Sequence, residues 1–78
     1  MEQDDVTITL TPAEALVLFE WLARTDDAQN LPTDHPAELK ALWRLEGKLE
    51  KQINLLFSSE YKSALEEARS ELVRLYGD

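Results

Sequence analysis

Six aliphatic side chains, Leu39, Leu42, Leu45, Leu49, Ile53 and Leu56, recur three or four positions apart. At about 100° per residue they fall on one face of an α-helix. Lys40, Arg44, Lys48 and Lys51 fall on the opposite face. A helix patterned this way buries one side against other helices and keeps the other in water. It is expected to begin near His35 or Pro36 and to run to Phe57, over residues 36–57. Ser58-Ser59 then breaks the pattern and offers a cap. A second stripe, Tyr61, Ala64, Leu65, Ala68, Leu72, Leu75 and Tyr76, predicts a helix over 58–76. Gly77 supplies its stop.

A third helix is announced by its start signal. Thr11-Pro12-Ala13-Glu14 is a capping box: Thr11 caps, Pro12 suits the first turn, and Glu14 reaches back. This helix is expected over 11–25, with Glu20 and Arg24 forming an i,i+4 pair. Residues 26–35, rich in Asp, Asn, Thr and Pro, read as a loop. Upstream, Val6-Thr7-Ile8-Thr9-Leu10 alternates apolar and β-branched polar residues, as a half-buried strand does. One strand cannot satisfy its backbone within this chain. It must pair with a second copy, pair with a partner, or lie as an extended arm over helices.

These elements predict an all-α fold: a three-helix bundle with a short extended N-terminal arm, residues 1–10, containing a possible single strand at 6–10. The short break at Ser58 makes the second and third helices an antiparallel pair, with the first helix over their seam. The chain has 78 residues, so it forms one domain, 1–78. A chain this short buries only about 60% of its unfolded surface. It has no cysteine to staple it, and small unstapled domains often depend on oligomerisation or on a partner.

The net charge is −8, and it is unevenly spread. Residues 1–38 hold nine acids against one base, Arg24, whereas residues 39–78 hold seven of each. Such a field repels nucleic acid and anionic membranes and attracts basic protein surfaces. The start, Met-Glu-Gln-Asp-Asp, is the opposite of a basic signal peptide. The longest apolar stretch, Ala15 to Leu22, contains Glu20 and is too short to span a bilayer. A cytoplasmic location with no membrane partner is the expectation.

The first helix exceeds one simple stripe. Ala15, Leu16, Leu18, Phe19, Leu22 and Ala23 cover a broad face. Val17 and Trp21 lie on the other side, among Glu14, Glu20 and Arg24. Tryptophan is enriched at protein interfaces, where one end is apolar and the other wet. The bland alternative is that the arm or the loop folds over Trp21. Trp43 flanks the apolar face of the second helix. Val17, Trp21, Glu14, Glu20, Asp26, Asp27 and Trp43 are therefore the candidate protein-binding residues.

No catalytic, cofactor or metal set is expected. His35 is the single histidine and reads as a helix-start residue, with no nucleophile arranged around it. Adjacent pairs such as Asp4-Asp5 and Asp26-Asp27 do not make a calcium loop. The two glycines, Gly47 and Gly77, cannot build a phosphate-cradling loop. Gly47 sits inside the second helix, where it either permits a close helix contact or costs stability.

The order of Val6–Leu10 followed by the helix from Thr11 resembles the ribbon-helix-helix DNA-binding fold over roughly residues 6–45. That likeness implies paired strands in the major groove. Residues 1–23, however, contain no Lys or Arg to neutralise phosphates. The segments Leu10 to Leu22, Leu49 to Gln52, and Ser59-Glu60-Tyr61 with the Ala64-to-Leu72 stripe resemble short bacterial helical proteins without an assigned activity. This second likeness implies a fold and carries over no site. The functional expectation is a non-enzymatic protein-binding module. An inhibitor, an immunity protein or an antitoxin-like regulator would mask a basic partner surface in this way. A self-assembling homodimer and a DNA-binding regulator are the alternatives.

Overall fold

The computed structural model describes residues 5–53 and 58–77. It is a three-helix all-α fold in the order α1 (Pro12–Asp27), α2 (Pro36–Gln52) and α3 (Tyr61–Tyr76). The α1 start is the capping box read from sequence. Glu14 N–H donates to Thr11 Oγ1 at 3.1 Å, and Thr11 N–H donates to Glu14 Oε1 at 2.8 Å. A cap of this kind is worth about 1 kcal/mol. Helix α1 runs two residues past the expected Thr25. It stops where Gln29 takes a left-handed φ of 58°. Asn30 N–H then donates to the Thr25 carbonyl and Gln29 N–H to that of Asp26, both at 2.9 Å. This is a Schellman stop, built on a residue other than glycine.

A second capping box starts α2. His35 Nδ1 accepts from Ala37 N–H at 3.0 Å, and Glu38 Oε1 accepts from Asp34 and His35 N–H. The single histidine is thus a helix-start residue. Helix α2 ends at Gln52, short of the expected Phe57. Ile53 turns extended, with φ −96° and ψ 114°. Its side chain sits against both apolar clusters of the fold. The expected positions 54–57, Leu56 among them, lie outside the described residues. Helix α3 starts three residues later than position 58. Ser58 accepts from Glu60 N–H at 3.0 Å through its hydroxyl and from Tyr61 N–H at 3.2 Å through its carbonyl. Those bonds close a turn ahead of the helix. Gly77, at φ 102°, ends α3.

No strand forms among the described residues. The alternating segment 6–10 takes no regular secondary structure and is unpaired, with Val6 89% and Ile8 71% exposed. Of this segment only Leu10 packs inward, against the α1–α2 seam, to which Leu31 of the loop also contributes.

The packing also corrects the expected pairing. Helix α1 is the hub. Its residues Phe19 and Leu22 close on Leu49 of α2, and Leu16 closes on Leu65 and Ala68 of α3. Trp43 meets Asp26, and Ile53 meets the Leu16 cluster, so α2 runs antiparallel to α1. Tyr61 meets Glu20 while Leu65 and Ala68 meet Leu16, so α3 is antiparallel to α1 as well. Helices α2 and α3 therefore run parallel to each other, and they do not pack together among the described residues. An apolar groove of about 570 Å³ remains between them, lined by Leu10, Leu16, Ile53, Ala64 and Ala68. The radius of gyration is 14.1 Å, against about 11.5 Å for a compact domain of this length.

Gly47 lies in open space. A Cβ built on it meets nothing within 4 Å, so no close helix contact requires it. Gly47→Ala is expected to raise stability by about 0.5–1 kcal/mol. Urea denaturation checks this, and a loss of stability would show that another body approaches the position.

Candidate protein-binding surface

Helix α1 presents more than one face because it packs against two helices. Ala13, Leu16 and Val17 join the α3 cluster, and Tyr61 reaches the same side at Glu20. Ala15, Leu18, Phe19, Leu22 and Ala23 join the α2 cluster. Val17 was expected beside Trp21 on an outer face. It packs instead against Leu16, Leu65 and Ala68 as part of the core edge. Trp21 falls between the two packed faces, on the side away from the groove, and keeps 40% of its surface exposed.

The remaining expected residues separate by role. The Glu14 carboxylate is committed to the capping box. Glu20, Asp26 and Asp27 gather with Arg24 and Glu46 around a shallow depression at the C-terminal end of α1. Trp43 borders this end. Its indole N–H donates to Asp26 Oδ1 at 2.8 Å, and the ring stays 48% exposed. The bond fixes an aromatic plate beside the acidic group. The structure thus brings together Glu20, Asp26, Asp27 and Trp43, whereas Glu14, Val17 and Trp21 do not line the depression.

The depression holds four carboxylates and one guanidinium. Arg24 Nη1 lies 3.8 Å from Glu20 Oε2, an exposed i,i+4 pair of small energetic weight. Glu46 carries the imbalance. Partial burial, then repulsion from Asp26 and Glu50, pushes its carboxyl above the usual range. A cation placed there would relieve the repulsion. Sequence reading missed Glu46, although it lies three positions after Trp43 and hence on the same flank of α2.

Tyr61 was also missed as a site neighbour. Its hydroxyl donates to Glu20 Oε1 at 2.7 Å, a contact spanning 41 positions of sequence with no local signal. Desolvation first, then the bond to Glu20 and its charge, push the Tyr61 phenol up to about 12. The raised value means the fold favours the neutral phenol. That stabilisation is complete below the unfolded value of about 10. It is lost as pH rises through about 12. Stability is therefore expected to fall across this alkaline window, and Tyr61→Phe to flatten the fall. Thermal melts of both proteins at stepped pH check this; parallel curves would refute it.

Among the described residues, no three His, Cys, Asp or Glu side chains come together to hold a metal ion. Nor is any described helix long and apolar enough to cross a membrane. No protein-family model, curated protein or solved structure gives a significant match to the chain.

Proposed function

We propose that this chain is a non-enzymatic protein-binding module that masks a basic surface of another protein, as an inhibitor, immunity protein or antitoxin-like regulator does. One observation carries the reading. Glu20, Asp26, Asp27 and Glu46 crowd one end of the α1–α2 seam, with a single guanidinium against them, and the Glu46 carboxyl is pushed up by its neighbours. A Lys- or Arg-rich surface would take up that excess charge and gain both rate and specificity of association. Trp43, held by Asp26, supplies an aromatic anchor at the rim. The same field opposes phosphate backbones, which argues against DNA as the partner.

The test is capture of a partner with the full chain as bait, followed by binding measured in rising salt. The Asp27→Lys, Glu46→Lys double variant is expected to lose binding while keeping its helicity. Capture unaffected by the reversal would overturn the acidic-mask reading.

Trp21 extends the prediction. An interface of ordinary size covers about 800 Å² per partner. It would therefore reach from the depression to Trp21, less than two helical turns away along α1. Trp21→Ala is expected to weaken association by ~2 kcal/mol or more, about thirtyfold, with helicity intact. Binding by titration calorimetry and helicity by circular dichroism read the two effects separately. Loss of folding would make Trp21 a core residue and would sink this extension.

A further inference from the structure

Helix α2 sorts its charges by sign. Lys40, Arg44 and Lys48 stand four places apart in one row, and Glu46 and Glu50 stand four apart in another. No Lys or Arg of α2 stands three or four places from one of its carboxylates. The spacing therefore builds like-charge neighbours, which weaken a helix, and forgoes the opposite ones that would support it. The other helices do set opposite charges at that spacing. Glu20 pairs with Arg24 on α1, and α3 places Lys62 before Glu66 and Glu71 before Arg74. Lys40, Arg44, Lys48 and Lys51 are all exposed, and among the described residues none of them pairs with a carboxylate.

Between the two rows runs a third, made of Trp43, Gly47 and Lys51 at the same spacing. At about 100° per residue the three rows lie side by side on α2, from Glu46 at the edge of the acidic depression outward. Trp43 is 48% exposed, with its indole held by Asp26. Gly47 notches the row next to it. Glycine inside a helix costs stability relative to alanine, and a Cβ built on Gly47 meets nothing within 4 Å, so packing within the chain does not require it. A gap in such a ridge is where a side chain of a second helix seats. Like charges in register, an interior glycine and an open tryptophan each break a local rule, and all three fall on one face. Such breaks gather where a surface is shaped for something outside the chain.

We infer that the outer face of α2 receives a helix of the partner protein that carries charges of both signs. Its carboxylates lie along Lys40, Arg44 and Lys48, its bases along Glu46 and Glu50, and one of its side chains seats at Gly47 against Trp43. The inference rests on the protein-binding reading above and adds an acidic row to the basic surface proposed there. Charge selects this occupant. A nucleic acid or an anionic membrane offers one sign only, and would meet Glu46 and Glu50 beside the cations. A purely basic surface would meet the cationic row. A helix can hold opposite charges in adjacent rows at the spacing that α2 presents.

Three fluorescein-labelled helical peptides with one shared leucine seam serve as probes. The first flanks the seam with a glutamate row and a lysine row, the second with lysine on both sides, the third with glutamate on both. Fluorescence anisotropy with the full chain at physiological salt is expected to show the two-signed peptide binding about tenfold more tightly than either other. Arg44→Glu with Lys48→Glu should weaken that peptide about tenfold and tighten the all-lysine one. Gly47→Gln should weaken it about fivefold or more by filling the notch, while raising the urea midpoint of the free chain. Preference for the all-lysine peptide would overturn the inference and leave the acidic mask standing. Equal binding of the three peptides, tighter binding of single-stranded oligothymidylate, or a dimer of the chain that the Arg44 and Lys48 reversal breaks would each overturn it too.

Discussion

Leu22→Ala is expected to remove about 3–4 kcal/mol of stability. Leu22 is the most deeply buried large side chain among the described residues, at 1% exposure, and it closes the α1–α2 seam with Phe19 and Leu49. The loss combines the lost transfer energy of the side chain with a cavity that helix backbones cannot fully collapse. A chain of this length has about 4–12 kcal/mol in total. The described core consists of Leu16, Phe19, Leu22, Leu49, Leu65 and Ala68, so one truncation removes a large share of it. Urea denaturation followed by circular dichroism should show the midpoint falling at constant slope. A loss under about 1 kcal/mol would mean that this seam is not where the fold holds itself together.

What could be read before the structure was what neighbours in sequence decide. The Thr11–Glu14 box is a contact three positions long, and Gly77 ends α3 through its own backbone freedom. The leucine stripes of α2 and α3 likewise follow from helical spacing alone. A stripe says that a face is buried, however, and not what buries it. The parallel course of α2 and α3, with α1 as hub, was therefore not legible. Val17 was misplaced for a related reason. The wheel of α1 was read as one broad apolar face, whereas two helices dock on it at well-separated angles, and Val17 falls within the second. Ile53 keeps the stripe in register past the point where the helix stops, so periodicity alone overran the boundary. At the candidate surface, the acids near Asp26 were visible as local charge. Glu46 and Tyr61 join it through α2 and α3, which only the packing could place.

The hub arrangement has an energetic signature of its own. Leu65→Ala is expected to cost about 2–4 kcal/mol by opening the α1–α3 cluster, and Leu49→Ala a similar amount at the α1–α2 cluster. Helices α2 and α3 do not pack on each other among the described residues, so the two losses should add to within about 0.5 kcal/mol. An antiparallel α2–α3 pair would instead place these leucines in one shared core and couple them by up to about 3 kcal/mol. Ile53 touches both clusters, so its truncation should couple to each leucine while the leucines stay independent of one another. The cycle is read from urea denaturation in the Gly47→Ala background, with a stabilising osmolyte present throughout to hold the double variant folded. A Leu49–Leu65 coupling above about 1 kcal/mol would reject the hub. Additivity would mean that each outer helix depends on α1 alone, and that either can shift on binding without dragging the other.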